Sequence, residues 1–422
     1  MSHGNLSVPP AGKAFLKSMC GVAVMLSLCF ALSAPAVLAQ TSTQPDPQAE
    51  LTPAAALARL FTAETWEEGW FTPEVLAQVP IAQLQMIVGQ IASGLGEFLG
   101  VEGSGTQYQV VFTEGSVPTT IVLDTQGRIA GLWFSAPRPR VSGLDDALAP
   151  FAVLPGRVSV LVVRDGAELA SLNPDEPLAV GSAFKLAVLA ALSDEIATGR
   201  RAWSDVVELQ ENWRSLPSGI LQDWPAGSPL TLHTLAALMI SVSDNTATDA
   251  LIHTLGREAV EAFAPRNRPL LTTREAFILK NPGNADLLEQ YRAADEAGRR
   301  AVLAEAAERA MANPEAFVSP RALDVEWFFT TRELCTLMGA VEGLPLMSIN
   351  PGVANPAEWE RVGFKGGSEP GVLNLTTGLV DASGHTYCVS ATWNHTEALD
   401  QGTFFRLYAG VLEGLKQLAG TR

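Results

Sequence analysis

Three short clusters beyond residue 180 of this 422-residue chain carry residue types able to do covalent chemistry. The first is Ser182-Ala183-Phe184-Lys185, which follows Gly181 and opens an apolar run from Leu186 to Leu192. Residues three apart share one face of a helix, so the lysine amine can approach the serine hydroxyl. A serine in the first turn also lies at the positive end of the helix macrodipole. Its hydroxyl is a weak nucleophile until a base takes the proton, and a neutral amine is such a base. Ser182 is therefore the candidate nucleophile and Lys185 its candidate base. A serine three residues before a lysine arises by chance about once in 250 residues of average composition. Alone, the pair is better read as a helix start with a lysine on a solvent face.

The second cluster, Ser243-Asp244-Asn245, lies between two helical runs, 231–241 and 248–255. At such a break a serine hydroxyl can point into a cleft and pass a proton to a leaving group. Asparagine has the donor and the acceptor to bridge a lysine and a substrate amide. The plainer reading is an N-cap on the second helix, which all three residue types suit. The third cluster, Lys365-Gly366-Gly367-Ser368, ends a strand pattern. Its glycines let the strand edge come close to a substrate, and its lysine offers a fixed charge to a carboxylate. A backbone N–H near Ser368 could pair with that of Ser182 as an oxyanion hole.

Order and spacing give the clusters their weight. S-x-x-K, then S-D-N 61 positions on, then a K-[TS]-G-like strand resembles the signature of class A β-lactamases and penicillin-binding proteins. Residues 216–221 also resemble the loop that faces the nucleophile in that family. The resemblance spans about residues 158–418. It implies an α/β sandwich with an all-helical subdomain and a site at their junction. Carried across, it implies that Ser182 is acylated with Lys185 as base and that Ser243 relays a proton. Asn245 would bind substrate and lysine, Lys365 would face a carboxylate, and Gly367 and Ser368 would line the substrate strand. Lys185, partly desolvated beside Lys365, should have a lowered pKa. The implied activity is a serine hydrolase acting on β-lactams or related esters and amides, without a cofactor. The alternative is a low-turnover penicillin- or cell-wall-peptide-binding protein, similar to a D-Ala-D-Ala carboxypeptidase.

Two departures bear on turnover. The family places a water-positioning glutamate on a loop after S-D-N, and here Glu275 is the nearest candidate, in unlike surroundings. That region is also lengthened by a charged amphipathic stretch, 285–312, which reads as a lid or a surface helix pair. Gly366 stands where the family has Thr or Ser, so Ser368 would have to supply the missing hydroxyl.

The elements that must position these residues are legible as patterns. Strands are expected at 158–163 and 167–172, helices from 182 to about 342, and strands again at 361–365, 372–380 and 387–393. An amphipathic helix closes the chain at 403–418. Strands at both ends of this region imply one sheet built from distant segments, with the helical middle packed against it. Residues 51–140 form a separate small α+β domain. Helices are expected at 53–62 and 73–99, then strands at 108–113, 118–123 and 129–134, with a hairpin turn at 124–127 and a boundary at 136–139. That order resembles the ketosteroid isomerase/NTF2-like domain preceding the β-lactamase-like domain, from about residue 150, in proteins of clavulanic acid biosynthesis. Trp66, Trp70 and Trp133 read as core. The whole chain is thus α+β.

Residues 1–39 read as a signal peptide: Lys13 and Lys17, an apolar run, then Val37-Leu38-Ala39. A polar linker, 40–50, follows. Export to the periplasm or the exterior is expected, with no stable membrane span after cleavage; the rival reading is an uncleaved anchor. A net charge of −17 argues against nucleic acid as a partner and leaves a small-molecule substrate; oligomeric state is not readable. Cys335 and Cys388 either form a bridge or remain two buried thiols. His233, His253, His385 and His395 show no metal-ligand spacing.

Overall fold

The computed structural model describes residues 51–419 apart from 136 and 312. The expected signal peptide and linker lie outside the described residues. From Leu51 onward the chain forms one compact unit around three buried apolar clusters.

Helix α1 (Pro53–Thr62) starts where Thr52 accepts a hydrogen bond from the Ala55 amide, with Pro53 in the first turn. It turns Ala56, Leu57 and Leu60 into the first cluster. The single helix expected over 73–99 is two helices, α2 (Pro73–Gln78) and α3 (Ile81–Leu95). Pro80 has no N–H to continue the first, and Gly96, at φ +81°, ends the second. The next residues form a strand that the sequence reading lacked, β1 (Phe98–Ser104). Its glycines look like turn signals, and antiparallel pairing with β2 (Gln107–Phe112) makes it a strand. β3 (Gly115–Leu123) and β4 (Ile129–Phe134) follow, joined by the expected turn. There Asp124 accepts from the Gln126 and Arg128 amides. The sheet runs β1-β2-β3-β4. Within the segment read as a boundary, β5 (Arg138–Pro139) pairs with the start of β3.

α4 (Leu144–Leu148) leads into β6 (Arg157–Arg164) and β7 (Ala167–Leu172). A short β8 (Leu178–Ala179) precedes α5 (Lys185–Ala197). The middle of the chain supplies β9 (Val206–Glu208), β10 (Pro229–Thr231), α6 (Leu232–Ser241), α7 (Asn245–Leu255), α8 (Arg257–Glu261) and α9 (Thr273–Leu279). The charged stretch is a helix pair, α10 (Ala285–Ala293) and α11 (Glu296–Ala306), which buries Leu287, Tyr291, Val302, Leu303 and Ala306. β11 (Phe328–Phe329) and α12 (Thr331–Val341) follow. The chain then returns as β12 (Arg361–Glu369), β13 (Val372–Val380), β14 (Thr386–Asn394) and α13 (Gln401–Ala419).

The second sheet is antiparallel, in the order β12-β13-β14-β6-β7, so the two ends of this region meet at the β14–β6 pairing. Both its faces are covered. α13 and α4 seal one, with Val160, Val162, Val389, Phe404 and Tyr408 in a shared cluster. α5, α12 and the helices between them seal the other, with Leu161, Leu186, Leu189 and Met338. Buried on two sides, β13 loses the polar alternation of a surface strand. Cys335 on α12 and Cys388 on β14 form a disulfide, which decides the alternatives the sequence left open. Among the described residues no helix is long and apolar enough to cross a membrane.

Candidate active site

The site forms where α5, the α6–α7 break and β12 converge. Gly181, at φ +50°, opens a 3₁₀ turn, Gly181–Phe184, and α5 begins only at Lys185. Ser182 therefore sits in a tight turn ahead of the helix, not within its first α turn as expected. Phe184 stacks on Trp327 with ring centroids 4.1 Å apart, which pins the turn to the core. Lys185 is fully buried, while Ser182 is partly exposed and its hydroxyl has no partner among the described residues.

β12 passes this turn closely enough to require glycine. A Cβ on Gly367 would fall 2.1 Å from the Val180 oxygen and 2.6 Å from the Ser182 and Ala183 nitrogens. The strand also runs further than expected, so Lys365-Gly366-Gly367-Ser368 lies inside it. Its two-residue turn, Pro370-Gly371, is closed by the pair Glu369 and Val372. Hydrogen-bonding pairs alternate along an antiparallel ladder, so the Ser368 N–H falls on the open edge of the sheet. A Cβ on Gly181 would lie 3.2 Å from that nitrogen. The Ser368 amide therefore stands beside the turn that carries Ser182. Where the family's hydroxyl is missing, a Cβ on Gly366 would lie 2.9 Å from the Phe364 ring.

The α6–α7 break supplies the polar centre. Ser243 holds φ +56°, uncommon for a residue with a side chain. The Lys185 Nζ lies 2.6 Å from Asn245 Oδ1, 2.7 Å from the Ser243 carbonyl oxygen and 3.1 Å from Ser243 Oγ. The Lys365 Nζ approaches the same Ser243 Oγ at 3.1 Å and donates to the Gly366 carbonyl. Asn245 donates through Nδ2 to the Leu216 carbonyl at 2.9 Å, which orients its Oδ1 toward Lys185. Asp244 caps α7 by accepting from the Ala247 amide, and accepts the Ile220 and Leu221 amides too. It thus holds loop 216–221 over the site. Gly219, at φ +104°, permits this contact, because a Cβ there would lie 2.2 Å from the Asp244 carboxylate.

Burial dominates the electrostatics. Desolvation, then the neighbouring Lys365, holds the Lys185 amine well below its usual range. Desolvation lowers Lys365 to about 7. A neutral Lys185 can donate to Asn245 Oδ1 and the Ser243 carbonyl while its lone pair remains available.

The sequence reading missed Asp249, one turn beyond Asn245 on α7 and fully buried. It accepts from the Thr273 amide at 2.7 Å and the Arg274 amide at 2.8 Å. Thr273 Oγ1 lies 2.9 Å from Asp249 Oδ1 and 2.8 Å from Ser215 Oγ. Burial pushes this carboxyl up to about 7 despite those donors. Its signal was the four-residue step from Asn245, which places both on one helix face.

Seven of the eight expected residues lie where the Ser182 turn, α5, the α6–α7 break and β12 converge: Ser182, Lys185, Ser243, Asn245, Lys365, Gly367 and Ser368. Glu275 belongs to another network. It closes a capping box with Thr272 at the start of α9 and takes a two-pronged ion pair from Arg257, at 2.6 and 3.0 Å. Both of its oxygens are occupied, and no hydrogen bond joins it to either site lysine.

The sheet flanked by helices and the helical lobe beside it make a class A β-lactamase-like fold. Residues 143–311 match the model of the beta-lactamase enzyme family, which covers both Ser182-Ala183-Phe184-Lys185 and Ser243-Asp244-Asn245. The match does not reach residues 51–142. Among solved structures, a β-lactamase from Sphaerobacter thermophilus is 22% identical with a TM-score of 0.46, over 66% of this chain and 97% of that one. The penicillin-binding protein PBP-A is 16% identical with a TM-score of 0.44, over 65% and 94%. A mutant class A β-lactamase of the last common ancestor of Gram-negative bacteria is 16% identical with a TM-score of 0.47, over 65% and 97%. No curated protein matches the sequence.

Proposed function

We propose that this chain is an exported serine hydrolase that forms an acyl-enzyme at Ser182 with β-lactams or with esters and amides of similar shape. One observation carries the reading: a buried Lys185 amine, its pKa held well below the usual lysine range, and Lys365 converge on the Ser243 hydroxyl beside a serine with a free hydroxyl. Lys185 takes the proton from Ser182 Oγ as the oxygen attacks the substrate carbonyl. The oxyanion is held by the Ser182 and Ser368 amides. The proton then passes from Lys185 through Ser243 Oγ to the leaving nitrogen or oxygen as its bond to carbon breaks. Lys365 pairs with a substrate carboxylate, which itself favours the charged amine, and Asn245 orients both Lys185 and the substrate amide.

Hydrolysis of the acyl-enzyme needs a base for water, and Glu275 is already saturated with donors. We assign it a structural role and leave Lys185 as the base for both half-reactions. That assignment favours slow deacylation, so a penicillin-binding or D-Ala-D-Ala carboxypeptidase-like protein is the second reading. The expected export signal at residues 1–39 supports a location outside the cytoplasm. The leading lobe's helix-then-sheet order supports an NTF2-like ancestry, and no residue there is assigned to the chemistry.

Intact-mass measurements with benzylpenicillin, nitrocefin, a 3′-acetoxy cephalosporin and an acetyl ester test the proposal. An adduct should map to the peptide containing Ser182 and be absent in Ser182→Ala. Adducts on both proteins, or on neither, would sink it. Adduct lifetime separates the two readings: minutes or longer indicates a binder, seconds or less a hydrolase.

A further inference from the structure

Away from the lysine pair, a cavity of about 70 Å³ opens beneath the segment between α8 and α9. Its walls include Arg266, Arg268, Tyr291, Arg299, Asp324 and Glu326. One water needs roughly 10–15 Å³ of such space, so the volume admits an ion the size of acetate or phosphate. The charges around it are unevenly satisfied. Asp324 is held in a two-pronged pair by Arg292, at 2.6 and 2.7 Å. Glu326 is fully buried and engaged by Lys280. Arg266 is matched to Glu333 at 2.9 Å.

Two guanidinium groups are left over. Arg299 lies over the Tyr291 ring, 5.0 Å from its centroid, and spends only Nε, on the Tyr291 carbonyl at 3.2 Å. Its terminal nitrogens have no acceptor, and Arg268 has no partner at all among the described residues. Tyr291 is itself buried, at 6% exposure, yet its hydroxyl has no hydrogen-bond partner among them either. Three donor-bearing groups thus line a cavity whose two carboxylates are already paired by cations outside its wall. A cation would meet repulsion there. An oxyanion would find planar guanidinium forks matched to its geometry.

We propose that this cavity is a binding site for a small oxyanion, a carboxylate or a phosphate-sized ion, held by Arg268, Arg299 and the Tyr291 hydroxyl. The site is separate from the acylation chemistry and does not depend on it. It is nevertheless bonded to the substrate strand, because Lys280 bridges Glu326 to Glu369, the last residue of β12.

The test is thermal unfolding of the whole chain in inorganic phosphate or in acetate, against sodium chloride of equal ionic strength. The midpoint should rise saturably with at least one of the two anions. The apparent affinity should weaken at least tenfold in Arg299→Gln and in Arg268→Gln. A response to acetate alone assigns the site to carboxylates, and one to phosphate alone to phosphate. The proposal is overturned if chloride reproduces the rise or if Arg268→Gln responds as the wild type does. It is also overturned if Lys365→Met, and not the arginine variants, abolishes the effect, since the anion then binds the catalytic cleft. Arg268 is exposed, so its variant remains decisive should Arg299→Gln fail to fold. Ser182→Ala should keep the full response, which separates this outcome from any failure of acylation.

Discussion

Lys185 and Lys365 come from a helix and a strand 180 positions apart in the chain, yet both Nζ atoms lie 3.1 Å from Ser243 Oγ. Two charged ammonium groups so placed and buried would repel strongly. Desolvation and mutual repulsion both favour neutral amines here, and a neutral amine is what the proposed activation of Ser182 requires.

The pair makes stability depend on pH. The folded chain holds Lys365 near 7, against an ordinary value of 10.5. Between those values the unfolded chain binds more protons, so stability should rise with pH from about 7 toward 10.5. Urea midpoints across pH 6–10 should show this rise, shallower in Lys365→Met. Equal slopes in the two proteins would contradict it. The KM for a carboxylate-bearing substrate should climb over the same range as the cationic form is lost.

Gly367→Ala should disable the nucleophile without touching a reactive group. Its Cβ would meet the Val180 oxygen and the Ser182 and Ala183 nitrogens, all backbone atoms that cannot swing aside. A cost of about 1–3 kcal/mol is expected from such overpacking, with acylation slowed at least tenfold. Unchanged labelling of Ser182 in a folded variant would count against the close approach of β12.

Glu275→Gln separates a structural acid from a catalytic one. The side chain caps α9 and pairs with Arg257, so its loss should cost about 1–3 kcal/mol of stability. The lifetime of the acyl-enzyme should stay within twofold of the wild type. A lifetime prolonged by orders of magnitude, measured by intact mass, would return Glu275 to the site as the water-positioning group.

The Cys335–Cys388 bridge spans 53 positions and ties α12 to β14 beneath the sheet. By constraining the unfolded chain it should contribute about 2–4 kcal/mol. A Cys335→Ala/Cys388→Ala double variant should unfold at a correspondingly lower denaturant concentration and still acylate at Ser182. No change in midpoint would show that the bridge is not formed in solution.

Much of this protein was legible as a string of residues. The spacing of Ser182, Lys185, Ser243, Asn245 and Lys365 announced a site, because each role demands a particular side chain at a helix start, a helix break or a strand. Periodicity placed α1, β4 and β13, because apolar repeats report which face of an element is covered. Where pairing outweighs local preference, the pattern misled. Glycine-rich β1 is a strand only because β2 lies beside it, and Arg138–Pro139 is a strand only because β3 offers an edge.

The sequence alone thus singled out the candidate nucleophile, its candidate lysine base and the elements that hold them, since those depend on residue type and local period. Tertiary structure decided what depends on distance. It joined Cys335 to Cys388, committed Glu275 to Arg257, set Asp249 against the Thr273 and Arg274 amides, and lowered the pKa of the Lys185 amine. Those outcomes follow from burial and from partners far away in the chain, which no local pattern records.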